Sequence, residues 1–391
     1  MRRLLTPSQG LLGIAIALAL QNSAMNLVTV FVPLLLLQNG AGFAEVCLFY
    51  IFYNSVGLLL DWPVARWVRS RGARPALIAG FMFSGLHLVL LRVFTLTHAP
   101  TAILGAALAL AGANTCVWTA QHLHLARALD LNRRGKDLVL MDTMVRVTNL
   151  LAPAAGALMA VLGGDGLLLG AAAALTLLAV VPVWRLDRAQ LAHTPESGPQ
   201  APERPDAVPL RDMAASAGFA VHNSINVTAW PLYLAVVYQG FAEVGGLSSA
   251  AAVVSFLVVM LAGGRLDRGR SSRVLLEGTL LCGAFHAARV FADGPVAIAG
   301  VTAGSRAAAS YQRIAWGGIY YGHAQRLGFR YVVRLELSDD AGGLLVWLVL
   351  LAGWLASGSQ HIALVLVFLL GALGALCVLA ITKDPAGSRR K

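Results

Sequence analysis

The chain has 391 residues, of which 58% are hydrophobic and only 13% are charged, and its mean hydropathy is +0.70. A composition this apolar excludes an ordinary soluble globular protein and indicates a protein embedded in lipid. The formal net charge of +11 would be typical of a nucleic-acid-binding protein, so the position of the basic residues along the chain decides its meaning.

Apolar stretches long enough to cross a bilayer recur along the whole chain. A membrane-spanning helix needs about 20 apolar residues, and charged residues or Gly, Pro and Asn separate one such stretch from the next. We number the predicted stretches as spans 1 to 12: 11–37, 43–60, 75–95, 101–128, 139–162, 165–185, 211–238, 245–263, 274–291, 295–323, 331–356 and 360–382. The first stretch is too long for a cleavable signal peptide and lacks a small-residue cleavage site.

The basic residues fall on one side of this series of spans. They precede span 1 and follow spans 2, 4, 8, 10 and 12: Arg2, Arg3, Arg66, Arg69, Arg71, Arg74, Arg133, Arg134, Lys136, Arg265, Arg268, Arg270, Arg273, Arg326, Arg330, Lys383, Arg389, Arg390 and Lys391. The loops on the other side contain no Lys or Arg. This distribution follows the positive-inside rule and predicts a multi-pass protein, in a bacterial inner (plasma) membrane, with both termini in the cytoplasm. The basic charge then reflects topology and not nucleic-acid binding.

One long polar, Pro-rich stretch, residues 187–210, divides the chain near its middle. Such a composition is typical of a linker. We therefore predict an N-terminal six-helix bundle over 1–186, a cytoplasmic linker over 187–210 and a C-terminal six-helix bundle over 211–391.

The two sides of this linker repeat each other in order. Asn22 in span 1 matches Asn223 in span 7, each followed by a serine and later by a proline. The segment FAEV opens spans 2 and 8, and RVF ends spans 3 and 9, at Arg92 and Arg289. An ordered series of matches at nearly constant spacing indicates a duplicated six-helix unit. A parallel repeat of this kind is typical of transporters whose site lies between the two halves.

A loop motif follows span 8 and, in a looser form, span 2. After span 8, Gly263 is followed by Asp267, Arg268 and another glycine. Gly57 and Asp61 begin the copy after span 2, with extra residues before its Arg-Gly-Arg part. On this motif and the six-plus-six plan, the chain resembles the major facilitator superfamily of transporters. The alternative interpretation is that both loops are only basic loops with tight turns.

The resemblance implies an all-α membrane protein with twelve transmembrane helices in two pseudo-symmetric six-helix bundles. It implies that spans 1, 4, 7 and 10 line a central site. It also implies that the motif aspartate, Asp61 or Asp267, pairs with an arginine such as Arg268 to hold one conformation shut.

Span 5 carries two further features. Residues 152–157, APAAGA, resemble a degraded form of the family's Gly-Pro-x-x-Gly-Gly antiporter motif, which implies export; a proline kink in a small-residue packing helix is the alternative. Asp142 and Arg146 share one helix face with Pro153. Because both charges lie near the predicted cytoplasmic end of the span, they indicate a structural ion pair or a gate.

Polar residues also recur along the spans that the resemblance places at the centre. Ionisable and amide side chains inside a membrane are costly, so they are default candidates for a functional site. The substrate-binding candidates are Asn22 and Asn26 in span 1, Asn114 and Trp118 in span 4, His222, Asn223, Asn226 and Tyr233 in span 7, and Arg306, Ser310, Arg313, Trp316 and Tyr320 in span 10. The two arginines of span 10 favour an anionic group on the substrate; the competing interpretation pairs them with acidic residues of span 11.

Glu336, Asp339 and Asp340 form the densest acidic cluster in any predicted span. A carboxylate that takes up and releases a proton as the halves rock would couple transport to protons. The alternative is that the cluster neutralises Arg313 and Arg334.

No P-loop, serine-nucleophile elbow or zinc-protease motif occurs in the sequence, so we expect no enzyme, no catalytic residue and no cofactor. The four cysteines, Cys47, Cys116, Cys282 and Cys377, are far apart, which predicts free thiols and no metal site. We predict a monomeric, proton-coupled secondary transporter for a small polar or amphiphilic solute that carries an anionic group, with membrane lipid and protons as its other partners. The alternatives are a transporter of a transition metal or its chelate, and a non-transporting membrane sensor or assembly factor.

Overall fold

The computed structural model describes the backbone of residues 9–128, 134–185, 208–266 and 271–382, and the side chains of 13–123, 150–185, 208–260 and 271–382. Throughout these ranges the regular structure is helical, as predicted. Spans 1 to 6 comprise the helices Gln9–Val28, Val32–Gln38, Phe43–Arg71, Ala73–Thr97, Pro100–Ala128 and Arg134–Arg185. Spans 7 to 12 comprise Leu210–Ser224, Trp230–Tyr238, Phe241–Leu266, Ser271–Arg289, Gly294–Leu327, Phe329–Ser357 and Gln360–Cys377.

Spans 1 and 7 are each interrupted just before a proline. A 3₁₀ turn, Thr29–Phe31, precedes Pro33 in span 1, and a π-helical turn, Ile225–Ala229, precedes Pro231 in span 7. Proline cannot donate the next backbone hydrogen bond and its ring crowds the preceding turn, so the regular α-helical ladder gives way at these points. The two breaks occur in the spans that the repeat matches with each other.

Spans 5 and 6 run as one continuous helical segment with a sharp break at Gly164, where φ is 65° and ψ is −170°. Only glycine adopts this backbone conformation readily, because a Cβ would clash with the main chain. The break lies between the two predicted spans, 139–162 and 165–185, so the chain reverses there with almost no loop.

Within the described residues, eight helices are long and apolar enough to cross a membrane. Spans 7, 9 and 10 are not among them, since polar side chains lower their hydropathy. Buried residues such as Asp212, His286 and Gln312 belong to these three spans. The least apolar spans therefore carry the polar interior of the C-terminal half.

Span 2 extends further than its apolar stretch indicated. Its helix continues to Arg71. The sequence suggested that Asp61, Arg66 and Arg69 lie in a loop, but they lie inside the helix. Its last turn carries Arg69 and Arg71, which hydropathy does not recognise as part of a span, and Gly72, with φ of 83°, ends the helix. Asp61 consequently belongs to the packed face of span 2.

The two halves meet along two pairs of helices, span 2 with span 11 and span 5 with span 8. Tyr50 and Trp347 stack across the first pair with ring centroids 4.1 Å apart. In the second pair, Gly245 approaches the Pro153 carbonyl so closely that a Cβ there would lie 2.8 Å from the oxygen. The backbone N–H of Ala154 also donates to Ser249 Oγ at 2.9 Å. The APAAGA segment of span 5 is therefore a packing surface for span 8.

Candidate functional site

Carboxyl groups from both halves gather at the contact between spans 2 and 11. Glu336, Asp339 and Asp340 occupy one face of span 11, since residues three and four apart are neighbours on a helix. Asp61 of span 2 is only 4% exposed and lies within electrostatic reach of Glu336 and Asp340. We call these four residues the acidic cluster. It joins the span 11 group predicted from the sequence to the motif aspartate of the other half.

Three carboxylates of the acidic cluster differ in their hydrogen-bond partners. Glu336 Oε1 accepts a hydrogen bond from the Tyr320 hydroxyl at 3.2 Å, and Asp339 accepts one from the Ser216 hydroxyl. The Oδ2 atom of Asp61 is buried and has no hydrogen-bond partner among the described residues. A buried carboxylate oxygen without a donor is costly when charged.

A hydrogen bond between His122 and Glu336 joins span 4 of one half to span 11 of the other. The His122 ring also lies 5.4 Å from Tyr320 and 5.9 Å from Tyr321. The sequence pointed to span 4 through Asn114 and Trp118. Trp118 is 36% exposed with its ring 5.3 Å from His122, and Asn114 is half-buried one turn earlier.

The arginine pairing implied by the family resemblance is not made by Asp61 in the described part of the chain. Asp61 faces the carboxylates of span 11, and the Arg69 guanidinium lies 5.1 Å from the centre of the Phe329 ring. The reason is that Asp61 sits on the face of span 2 buried against span 11, whereas Arg69 lies two turns later. Asp267 and Arg268 of the second motif lie outside the described residues, and so do the side chains of Asp142 and Arg146.

Amide side chains of spans 1 and 7 are held by defined partners. Asn22 Nδ2 donates to the Leu18 carbonyl at 2.8 Å, and Asn26 Nδ2 donates to the Asn22 carbonyl at 2.7 Å. In span 7, Asn223 Oδ1 accepts a hydrogen bond from Arg313. Asn226 Oδ1 accepts one from Arg289 at 2.6 Å. All four amides are half-buried.

Arg313 and Trp316 of span 10 pack against span 7. Trp316 stacks on Phe219 at 4.9 Å with the rings nearly parallel, and the Arg313 guanidinium lies 5.8 Å from the centre of the same Phe219 ring. Arg313 also attracts Asp339 electrostatically. Arg313 is thus associated both with an amide of span 7 and with the acidic cluster, so both interpretations from the sequence find contacts here.

Four predicted candidates remain: three lie away from these groups, whereas the fourth, His222, has its ring 5.1 Å from the Phe219 ring. Arg306 donates to the Ser248 carbonyl at 3.1 Å, and Ser310 accepts from Ser255 at 2.6 Å, so this part of span 10 packs on span 8. The sequence placed these residues on the same face as Arg313, but helices that cross at an angle present one face to different neighbours at different levels.

Tyr233 and His222 are the other two. Tyr233 donates to the Ala292 carbonyl at 3.0 Å, beyond the π-helical turn, and its ring stacks on Trp230 at 4.7 Å. His222 is fully buried inside the C-terminal half, 5.9 Å from His286. Both side chains therefore pack within their own half.

Arg289 was recognised in the sequence only as part of the RVF repeat. In the structure it is 3% exposed and donates to Asn226, to Ser305 at 2.9 Å and to His286 Nδ1 at 2.9 Å. Its guanidinium also lies 4.6 Å from the centre of the Trp230 ring. The sequence signal was an arginine near the end of a span, which is usually a residue that reaches toward the membrane surface; only the packing shows that it turns inward.

Asp212 is a second buried charge that the sequence did not single out. Its carboxylate accepts hydrogen bonds from the Thr382 backbone at 2.7 Å and hydroxyl at 2.9 Å, and from the Tyr331 hydroxyl at 3.3 Å. His323 Nδ1 lies 3.2 Å from the same carboxylate. Asp212 therefore ties spans 7, 10, 11 and 12 together at one end of the C-terminal half.

Comparisons with known proteins agree with this architecture. No protein-family model matches the chain, and no curated protein matches it by sequence. Among solved structures, a variant of the E. coli fucose:proton symporter FucP is similar, with a TM-score of 0.65 and 17% identity over 95% of this chain and 98% of the other. FucP in the outward conformation has a TM-score of 0.67 and 17% identity, over 94% of this chain and 96% of the other. The nucleoside transporter NupG has a TM-score of 0.64 and 12% identity, over 96% of this chain and 98% of the other.

The protein therefore has the twelve-helix fold of the major facilitator superfamily, which confirms the fold predicted from the sequence. It is an integral membrane protein that crosses the bilayer several times.

Proposed function

We propose that the protein is a secondary active transporter, which moves a small polar solute by alternating access and couples that movement to protons. The acidic cluster carries this proposal, because its members come from both halves and meet at the surface along which the halves must separate. The similar structures named above belong to transporters, one of them described as a proton symporter.

The acidic cluster suits proton exchange for an electrostatic reason. Two like charges 4 Å apart repel by about 4 kcal/mol at the effective dielectric constant near a protein surface, and by more deeper inside. Asp61, Asp339 and Asp340 have no arginine or lysine hydrogen-bonded to them within the described residues. The halves can approach with the least repulsion when the cluster holds protons, and separation lets solvent take those protons up.

The hydrogen bond between His122 and Glu336 would act as a gate in the same cycle. It joins span 4 to span 11, so it must break when this end opens. A solute that contacts Tyr320 or Arg313 lies beside the gate, since Tyr320 donates to Glu336 and Arg313 attracts Asp339. We place the anionic or carbonyl group of the solute near Arg313.

The proposal is tested with purified protein in proteoliposomes that contain a pH-sensitive dye. A panel of amino acids, monocarboxylates, sugars and nucleosides is added with and without an imposed proton gradient. We expect one class to produce solute-dependent proton movement, and Asp340→Asn to abolish that coupling. Asp293→Asn, which changes an exposed carboxylate in the loop before span 10, is the matched control and should behave as the wild type.

The alternative functions predict other results. Solute flux without proton movement would leave a transporter but remove proton coupling. The absence of flux for every class, together with a stable membrane partner on pull-down, would support a sensor or assembly factor. Flux of a divalent metal ion alone would support the metal transporter; the described residues hold no group of three or more His, Cys, Asp or Glu side chains arranged for a metal.

A further inference from the structure

The orientation of the amide side chains in span 1 follows from their hydrogen-bond partners, which can only accept. Asn22 and Asn26 each bond to a backbone carbonyl of their own helix at 2.8 Å and 2.7 Å. A carbonyl oxygen only accepts, so the atom facing it must be the amide nitrogen. The Oδ1 atoms of both residues are therefore turned away from the helix. Because the two residues are four apart, both oxygens lie on one face of span 1.

The amides of span 7 have the opposite orientation. Asn223 and Asn226 face the guanidinium groups of Arg313 and Arg289. A guanidinium only donates, so the atom facing it must be the amide oxygen. The NH₂ groups of both residues are therefore turned outward. Spans 1 and 7 contact each other through the turns Thr29–Phe31 and Ile225–Ala229, so an acceptor-bearing span lies beside a donor-bearing one.

Arg289 contributes to this difference between the two halves by facing Asn226, as Arg313 does by facing Asn223. The counterpart of Arg289 in the repeat, Arg92, is half-buried and donates to Thr95 on its own helix at 3.2 Å. No arginine reaches the amides of span 1 among the described residues, and those amides bond to their own backbone instead. The RVF element is present in both halves, yet span 1 of the N-terminal half has outward acceptors and span 7 of the C-terminal half has outward donors.

A buried cation without a bonded carboxylate needs an explanation. Among the described side chains, the groups that receive hydrogen bonds from Arg289 are Asn226, Ser305 and His286, and none of them is acidic. Burying a charge with only neutral partners costs free energy that a smaller apolar residue would avoid. Its contact with the half-buried Asn226 is the one through which it can influence the space between the halves.

We infer that the transported solute is bifunctional, with a hydrogen-bond donor such as an ammonium group directed to span 1 and an acceptor such as a carboxylate directed to span 7. An amino-acid-like zwitterion is the simplest solute of this class. Arg289 is a positioning residue, since it fixes the orientation of the Asn226 amide without itself lining the site. This inference rests on the proposed function, because it names the substrate class of the same site.

The first test measures binding alone, by thermal stabilisation of the purified protein in detergent. The probes are the common amino acids, the monocarboxylates that lack their amino group and the amines that lack their carboxylate. We expect at least one amino acid to bind about tenfold more tightly than both of its one-ended analogues, since each end contributes a charge-assisted hydrogen bond. Equal binding of the analogues, or no binding by any amino acid, would overturn the inference.

The second test uses Asn226→Asp. The carboxylate still accepts from Arg289, so the fold is kept, but the outward donors are lost and an acceptor takes their place. We expect the affinity for the amino acid and the carboxylate probe to fall about tenfold, while the affinity for the amine probe does not fall. A purely structural role for Asn226 would lower the affinity for all three probes alike and would contradict the inference.

Arg289→Gln and Arg92→Gln form a matched pair at equivalent positions of the repeat. We expect Arg289→Gln to reduce the preference for the amino acid over the amine, and Arg92→Gln to leave that preference unchanged. If Arg289→Gln does not fold, Asn226→Asp still tests the inference. Binding without flux in proteoliposomes would contradict the proposed function alone, whereas flux of one-ended solutes only would contradict this inference alone.

Discussion

Gly57 of span 2 lies so close to the carboxylate of Asp340 in span 11 that a Cβ at residue 57 would overlap the acidic side chain. The glycine therefore lets the backbone of one half approach a carboxylate of the other half directly. Residue 57 is the glycine of the looser motif copy at span 2, and a larger side chain there would displace the Asp340 carboxylate.

We expect Gly57→Ala to lower the transport rate by about tenfold, because overpacking of a tight contact costs roughly 1–3 kcal/mol and here falls on the closed interface. Transport in proteoliposomes and thermal unfolding of the purified protein measure the two effects. Gly85→Ala is the control, since a Cβ at that helical position meets no atom within 4 Å. Equal transport by both variants would show that the contact between the halves does not control the cycle.

Removing the His122 side chain should weaken closure of the end at which spans 4 and 11 meet. Glu336 then keeps only Tyr320 among its described hydrogen-bond partners, so the state with this interface open is favoured. We expect His122→Ala to reduce proton-coupled uptake and His122→Gln, which can still donate to Glu336, to recover part of it. His361→Ala, at an exposed position, should leave uptake unchanged; recovery equal in the Ala and Gln variants would argue against a hydrogen-bonded gate.

Asp212 should contribute to stability and not to solute selection. Asp212→Asn removes acceptor capacity from a fully buried group that receives hydrogen bonds from Thr382 and Tyr331, and we expect a loss of about 2–3 kcal/mol. Thr382→Val removes only the hydroxyl donor and should cost about 1 kcal/mol. Thermal unfolding in detergent measures both. An unchanged unfolding temperature in Asp212→Asn would mean that this network does not hold the helices together.

The predicted orientation can be checked by labelling with a membrane-impermeant maleimide in right-side-out vesicles. The background carries Cys377→Ser, because Cys377 is the exposed cysteine of the four. We expect Asp293→Cys to be labelled in intact vesicles, and Ser197→Cys, in the predicted cytoplasmic linker, to be labelled only after permeabilisation. The reverse pattern would invert the topology drawn from the basic residues.

The sequence predicted the helices well, because the thickness and apolar interior of the membrane determine how long and how hydrophobic a spanning helix must be. Neither property depends on tertiary contacts. It also indicated the reversal near Gly164, where spans 5 and 6 were separated. The breaks before Pro33 and Pro231 were not predicted, although they follow from the backbone properties of proline. The boundary of span 2 was less accurate, since a helix continues beyond the apolar stretch when its last turns are polar.

The partners of the polar residues were much harder to predict. Helical spacing places Arg306 and Arg313 on the same face of span 10, yet one contacts span 8 and the other span 7. The spacing of residues along one helix does not reveal the angle at which that helix crosses its neighbours. The inward turn of Arg289 depends on the same information, which a single sequence does not contain.

The two sets of amides lie at different distances from the prolines that follow the breaks in spans 1 and 7. Asn226 precedes Pro231 by five residues, whereas Asn26 precedes Pro33 by seven, and the helices that begin at these prolines pack against each other. At a rise of 1.5 Å per residue, the donors of span 7 lie roughly 3 Å nearer those prolines than the acceptors of span 1. A solute held by both sets is therefore inclined to the membrane plane, with its acceptor end leading toward the Pro33 and Pro231 side.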